Sequence, residues 1–497
     1  MKKLKKHEVY IFCGIFMFVI IILSNFLKLH YAQDTYHTEA YGFSYTAKNA
    51  FLFSGRPITA TAFYIADILN LNIETHVLIM TCLSIINLTL AVYILYMIIN
   101  KLLGKNANKK IEYLILIVSF ITVFNFCTTD LLVFSESGIV TMGLLSSIIA
   151  GCEIARDKNN KYIKALLFAI IGVLCYQGIL NIYVPIALIL IVYKNKGEIK
   201  KAFKEAFIAL LIYGIALIVS MLVSNMISKM LMISSRPTII PTLQSILSTY
   251  LKYLDVLVFN TLNIGPKYWY ITVITIISII YFIIILKRRY PKIYIFYYIV
   301  ILLSTILLPI LPLVIQAEDK QYLEPRMCMS FGASVGIAIM YAVLTINIDE
   351  SKMFGKILKL ITILIFVINS QYIINSSSEM VSTNLLDRNF AIAILNKMEK
   401  YEKENHIEIK NIGIDYDTNL EFYYDGSEIH RCLNLKSLAT DWAIEPILKI
   451  YGNRDGHLNW IKVPEQIHNK YFKDKNWTCY SEEQIVFEGD TMYICIY

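Results

Sequence analysis

The sequence predicts an all-α polytopic membrane protein of about eleven spans, followed by a C-terminal α/β domain outside the membrane. Of its 497 residues, 57% are hydrophobic and only 17% are charged, and the mean hydropathy is +0.56. This composition is typical of a membrane protein. Basic residues lie mainly between the hydrophobic runs, and the last quarter of the chain loses the hydrophobic continuity.

Eleven hydrophobic segments are interpreted as spans. The first follows a basic segment, is long for the apolar part of a signal peptide, and is not followed by a small-residue cleavage site, so we expect it to be retained. Two short spans are expected to meet in a tight hairpin at Tyr176. The spans are approximately 9–29, 76–100, 111–127, 137–155, the pair on either side of Tyr176, 206–226, 268–286, 293–313, 327–346 and 357–374.

The charge distribution predicts the orientation. On this topology, one side of residues 1–373 has 24 lysines and arginines and the other side has nine. By the positive-inside rule, the N-terminus is cytoplasmic and residues 376–497 are outside the cytoplasmic membrane. The positive charge belongs to membrane loops and forms no aromatic-interleaved groove, so a nucleic-acid partner is not expected.

We therefore divide the chain into a multi-span transmembrane domain with outer loops, 1–375, and an extracytoplasmic α/β domain, 376–497. In the latter, Phe390, Ile394, Met398 and Tyr401 share one face of an expected helix. Strand patterns occur at 409–417 and 484–497, the second being a pair joined across 488–490. The nine cysteines show no spacing typical of zinc ligands or a disulfide framework.

Polar side chains interrupt the hydrophobic pattern on the predicted outer side. They begin in the aromatic-rich segment 31–57, where a solvated connection and a functional site both remain open. Segment 228–267 has the mixed apolar pattern of an interfacial helix. The outer polar residues are Asp34, His37, Glu39, Arg56, Glu136, Tyr176, Gln177, Arg236, Lys267, Glu318, Asp319, Lys320, Glu324 and Arg326.

Four of these stretches resemble the glucosyltransferase family that includes bacteriophage-encoded enzymes modifying O-antigen, which is similar in layout to C-type membrane glycosyltransferases. The stretches extend over roughly the first two thirds of the chain. The family often has two adjacent acids where this chain has Gln33 and Asp34, so Glu39 is the expected substitute for the second acid. The stretches are Asp34 with the later Gly55-Arg56-Pro57, Ser135-Glu136, Tyr176-Gln177, and Pro325-Arg326.

The resemblance implies transfer of a hexose, glucose being expected, from a polyprenyl-phosphate sugar to an envelope glycan or glycolipid outside the cytoplasmic membrane. Asp34 is the expected catalytic base, with Glu39 and Glu136 as further candidates. Cationic groups for the donor phosphate are Arg56, Arg326, Arg236 and Lys267. Tyr36, Tyr176 and Gln177 are the expected contacts to sugar or acceptor.

The expected partners are the lipid-linked donor, the acceptor, membrane lipids, and a flippase and donor synthase. No cofactor is predicted; a divalent metal is compatible with the carboxylates, but nothing requires it. The alternative from another class is a non-enzymatic envelope membrane protein, either a lipid-linked saccharide transporter or a scaffold. The structural alternatives also stay open: Arg56 and Arg326 as headgroup anchors, Tyr176 and Gln177 as turn residues, and His37 as an interfacial residue.

Overall fold

The computed structural model describes most of the chain. The described residues are 6–496 except 105–108, 197, 233–240, 261, 263–267, 315, 317–320, 322, 347–351, 417–436, 440, 453–457, 476 and 478–479.

The first half of the chain is helical, and short helices alternate with long apolar ones. Helix α4 begins with Pro57, which follows a non-helical residue. Proline suits this first position, because an amide hydrogen there would have no partner within the helix. The helices are α1 (Lys6–Ile22), α2 (Gln33–Tyr41), α3 (Phe43–Thr46), α4 (Pro57–Ile68), α5 (Ile73–Leu103), α6 (Lys109–Val123), α7 (Phe126–Leu132), α8 (Ser137–Ile154) and α9 (Lys161–Cys175).

The second half continues this pattern up to the C-terminal domain. A 3₁₀ turn, Gln177–Ile182, leads from α9 into the next helix, and another, Pro325–Met327, precedes α15. The helices are α10 (Tyr183–Lys194), α11 (Ile199–Leu231), α12 (Leu243–Leu254), α13 (Trp269–Lys287), α14 (Ile293–Leu307), α15 (Met329–Gly332), α16 (Ser334–Thr345), α17 (Lys352–Asn405), α18 (Asp441–Gly452) and α19 (Glu465–Ile467).

Each of the eleven predicted hydrophobic segments coincides with a helix or a helix pair. Six helices in the described part are long and apolar enough to cross a membrane, and α6 with α7, bent by 55°, would make a seventh. The apolar helices α1, α14 and α16 are shorter, and α9 has 15 residues. The structure therefore supports a helical membrane protein, and the number of eleven crossings stays a prediction.

Helices α5, α8 and α9 pack side by side in the membrane domain. At Gly172 of α9, an added Cβ would lie 2.6 Å from Ser147 Oγ of α8. A hydrogen in place of a side chain is thus what lets the two helix backbones approach so closely, as is common between apolar helices. This packing brings the beginning of α8 beside the end of α9.

Within segment 228–267 the structure contains helix α12, and its predicted place at the membrane interface stays a prediction. Leu243, Leu247 and Leu251, four residues apart, are exposed on one face, whereas Thr249 and Tyr253 are buried on the other. The hydroxyl of Tyr253 donates to the carbonyl of Gln321 at 2.7 Å. The helix therefore packs through its polar face and leaves its leucines outward.

The C-terminal domain contains the predicted α/β module. Its sheet has the order β2 (Asn459–Ile461), β1 (Asn411–Tyr416), β4 (Thr491–Ile496) and β3 (Ile485–Glu488). Strand β1 is parallel to both β2 and β4, and β3 and β4 form the predicted hairpin. The strands at both predicted places are therefore confirmed.

The predicted boundary at 375/376 falls inside a helix. Helix α17 continues without interruption from Lys352 to Asn405, so its first part belongs to the membrane domain and its last part to the C-terminal domain. Phe390, Ile394 and Met398 are buried on one face, as predicted. The fall in hydropathy near residue 376 thus marks a change in what the helix packs against, not its end.

Candidate functional site

Two arginines, three carboxylates and a tyrosine from distant parts of the sequence meet at one end of the helices. They come from the turn before α4, from α7, from the turn before α8, from the end of α9 and from the segment before α15. We call this group the carboxylate–arginine cluster: Arg56, Asp130, Glu136, Tyr176, Glu324 and Arg326.

The turn that positions Arg56 is fixed by backbone contacts. Gln177 Nε2 donates to the carbonyl oxygens of Ser54 and Gly55 at 3.0 and 2.7 Å. Gly55 has φ +73°, and a Cβ there would lie 2.5 Å from Ser224 Oγ of α11. Only glycine fits both the backbone conformation and the space. The predicted Gly-Arg-Pro motif therefore has a structural reason for its first and last residues.

Arg326 is surrounded by hydrogen-bond acceptors. Its backbone N–H donates to Asp130 Oδ2 at 2.9 Å, and its Nη1 lies 3.9 Å from the same oxygen. Its Nη2 forms an ion pair with Glu324, and its Nε donates to the Tyr176 hydroxyl at 3.2 Å. Its guanidinium also lies over the Phe134 ring. This is a closely held side chain with two acidic neighbours.

Arg56 is held mainly by stacking. Its Cζ lies 4.2 Å from the centroid of the Tyr176 ring, and its Nη1 lies 3.8 Å from Glu136 Oε1. The second distance is an ion-pair separation and too long for a hydrogen bond. Within the described part of the chain, Arg56 Nε and Glu136 Oε2 are buried and have no hydrogen-bond partner.

Glu136 lies almost completely buried, with 3% of its side chain exposed. It is the residue before α8, and the ring of His76 donates from Nε2 to the neighbouring Ser135 carbonyl at 3.0 Å, which fixes this turn. Burial raises the pKa of the Glu136 carboxyl above its ordinary value, and the negative charge of Asp34 raises it further. The guanidinium groups of Arg56 and Arg326 act in the opposite direction.

Asp34 lies beside the carboxylate–arginine cluster, in the first turn of α2. Its charge acts on Glu136 and on Arg326. A carboxylate in a first turn is favoured by the positive end of the helix dipole. Both candidate phosphate ligands, Arg56 and Arg326, thus meet at Tyr176, next to Gln177, and the charge of the candidate base Asp34 reaches the same cluster.

The remaining predicted residues of segment 31–57 lie elsewhere. Tyr36 is fully buried in the C-terminal domain's hydrophobic cluster, where it stacks on Tyr31 at 4.6 Å and meets Tyr451 edge-on. Glu39 accepts a hydrogen bond from the Tyr31 hydroxyl, and burial raises its pKa. On a helix, positions 36 and 39 point about 160° and 140° away from position 34. Tyr36 and Glu39 therefore do not lie on the Asp34 face of α2, and their predicted roles at the substrate stay predictions.

The C-terminal domain packs against α2. Asn384 of α17 forms two hydrogen bonds of 2.8 Å with the backbone N–H and C=O of Tyr31. On α18, Lys449 lies over the Tyr41 ring, and the charge of Glu445 acts on His37. Helix α2 is thus held between the C-terminal domain and the carboxylate–arginine cluster.

Sequence reasoning missed Asp130 as a site residue and left Glu324 unassigned. Both are partners of Arg326, and Glu324 was recognisable as the acid directly before the Pro325-Arg326 pair. Arg236, Lys267 and the acidic pair Glu318-Asp319 lie outside the described residues, so their predicted roles have no structural counterpart here. Within the described ranges, no group of three or more His, Cys, Asp or Glu side chains has a metal-binding arrangement.

The comparisons with known proteins identify no relative. No protein-family model matches the chain, and no curated protein matches it. The function is therefore argued from the geometry of the site.

Proposed function

We propose that the protein is a membrane glycosyltransferase that moves a hexose, glucose being our first choice, from a polyprenyl-phosphate sugar to an envelope glycan or glycolipid. The proposed place is the outer face of the cytoplasmic membrane. The observation that supports this most is the meeting of Arg56 and Arg326 on Tyr176, where the charge of the Asp34 carboxylate also acts on Arg326. Guanidinium groups suit a phosphate, and a neighbouring carboxylate suits proton transfer.

The surroundings of the cluster suit a lipid-linked donor. Exposed apolar side chains of α11, such as Leu222 and Met226, lie on a helix that also contacts the Arg56 turn through Ser224. A polyprenyl chain needs an apolar surface of this kind, while its phosphate needs cations at the end of the helices. A soluble nucleotide-sugar donor would need no such apolar neighbourhood.

The proposed reaction is one displacement at the anomeric carbon. The acceptor hydroxyl oxygen forms the new bond to that carbon while the bond to the phosphate oxygen breaks. The hydroxyl proton passes to the Asp34 carboxylate, and the bonding electron pair leaves with the polyprenyl phosphate. A guanidinium beside the leaving phosphate stabilises the charge that develops there, so the reaction needs no second acid.

The testing experiment uses membranes that contain the full-length protein. They are incubated with a panel of polyprenyl-phosphate sugars labelled in the sugar, together with an envelope extract as acceptor. Transfer of label that depends on the protein is the expected result. Absence of transfer from every donor, with correctly inserted protein, would favour the non-enzymatic transporter or scaffold.

A further inference from the structure

The two arginines of the carboxylate–arginine cluster differ in how far their hydrogen-bonding groups are already used. Arg326 donates from Nε to Tyr176, and its terminal nitrogens face Glu324 and Asp130. Two carboxylates therefore compensate its single charge. An incoming anion at Arg326 would have to displace Glu324 from Nη2 and would meet Asp130, 3.9 Å from Nη1.

The hydrogen-bonding groups of the Arg56 guanidinium, in contrast, are unused among the described residues. In the part of the chain that the structure describes, its guanidinium donates no hydrogen bond, and its buried Nε has no partner. Its acidic neighbour, Glu136, lies 3.8 Å away, and Glu136 Oε2 is also buried without a partner. Buried polar groups left in this way are costly, and a bound ligand, an ion or a water molecule can satisfy them.

The stacking of Arg56 on Tyr176 leaves the guanidinium edge available. A ring beneath one face does not block hydrogen bonds in the guanidinium plane, where two N–H groups can meet two oxygens of one phosphate. Arg326, in turn, fixes the hydroxyl of that same Tyr176. Arg326 therefore contacts Tyr176, and Tyr176 in turn contacts Arg56.

We propose that Arg56 alone binds the phosphate oxyanion, that Glu136 competes with the anion for the Arg56 guanidinium, and that Arg326 is a positioning residue. The ligand class is a phosphate monoester or diester, and this inference rests on the proposed function for its lipid-linked source. The proposed function itself would also allow both arginines to hold the phosphate equally.

Binding of two probes to purified full-length protein in detergent tests the assignment without an activity assay. The probes are a polyprenyl phosphate and inorganic phosphate, measured in separate titrations. Arg56→Lys keeps the charge but loses the planar fork, so affinity for polyprenyl phosphate should fall about tenfold. Arg326→Lys should weaken it less. Arg156→Lys, beyond the other end of α8 and also paired with an acid, is the matched control.

A substitution of the acid beside Arg56 should change the affinity in the direction opposite to Arg56→Lys, a result that misfolding does not imitate. Glu136→Gln removes the competitor of the anion at Arg56 and should tighten binding of polyprenyl phosphate. Asp130→Asn removes a partner of Arg326 and should tighten it less or not at all. If the phosphate is held by Arg326 instead, the order of these two effects is reversed.

The outcomes separate this inference from the proposed function. Equal or greater loss in Arg326→Lys than in Arg56→Lys overturns the assignment, while polyprenyl phosphate binding by the unmodified protein still supports the function. Binding of neither probe counts against both. Inorganic phosphate bound as tightly as the lipid, with the loss confined to Arg56→Lys, supports the oxyanion site and contradicts a lipid-linked donor.

Discussion

The guanidinium of Arg56 lies over the ring of Tyr176, with its Cζ 4.2 Å from the ring centroid. These residues are 120 positions apart, and the same tyrosine accepts a hydrogen bond from Arg326, a further 150 positions along the chain. One aromatic side chain therefore connects three distant segments at one end of the helices. A cationic group supported in this way can meet an anion without first being ordered by it.

The raised pKa of the Glu136 carboxyl should make the stability of the protein depend on pH. Because burial and Asp34 raise its pKa in the folded protein, folding favours the protonated form. The stability gained from this is complete below the unfolded-state pKa and is lost as pH rises through the raised folded pKa. The charged groups that act on the Glu136 carboxyl are Asp34, Arg56 and Arg326.

Glu136→Gln removes this titration. The unfolding temperature of Glu136→Gln, relative to that of the unmodified protein, should therefore rise as the pH is raised from about 5 to about 8. Thermal unfolding of detergent-purified protein at both values provides the measurement. A difference that is constant with pH would mean that Glu136 titrates in its ordinary range.

Packing between α2 and the C-terminal domain should depend on Tyr36. Its ring is fully buried between Tyr31 and Tyr451, so Tyr36→Ala should destabilise the protein by about 3 kcal/mol. Tyr45→Ala, in the same segment but 48% exposed, is the matched control and should cost much less. Equal unfolding temperatures for the two variants would show that the domain does not pack on α2 in solution.

Orientation in the membrane should follow the charge asymmetry of the loops. A cysteine introduced at the exposed Asp474 should react with an impermeant thiol reagent on intact cells, whereas one at the exposed Lys200 should not. Four native cysteines are first replaced by serine: the exposed Cys13 and Cys82, and Cys432 and Cys479, which lie outside the described residues. Labelling at Lys200→Cys with a protected Asp474→Cys would reverse the proposed topology.

Much of this fold could be predicted because hydropathy and charge are local properties of a sequence. The long apolar helices and the strands β1, β3 and β4 follow directly from such patterns, whereas β2 was not predicted. Asp130 could not be assigned, since it lies in α7, after the 55° bend that follows α6, and no local pattern indicates what a bent helix faces. The direction of the Tyr36 side chain could not be predicted, because it depends on α2 being helical and segment 31–57 was predicted only as a loop.

The central claim is that Asp34 accepts the proton of an acceptor hydroxyl beside a phosphate-linked sugar. Asp34→Asn keeps the shape of the side chain and removes the proton acceptor, so kcat should fall by about two to four orders of magnitude, while apparent donor affinity changes little. Glu39→Gln, on another side of α2, is the matched control and should have a much milder effect.

The decisive measurement is the rate of transfer from a labelled polyprenyl-phosphate sugar in membranes containing each variant in equal amount. The expected result is transfer by the unmodified protein and by Glu39→Gln, with nearly complete loss in Asp34→Asn. Near-normal turnover in Asp34→Asn together with loss in Glu136→Gln would place the base in the turn before α8 and contradict the assignment of Asp34.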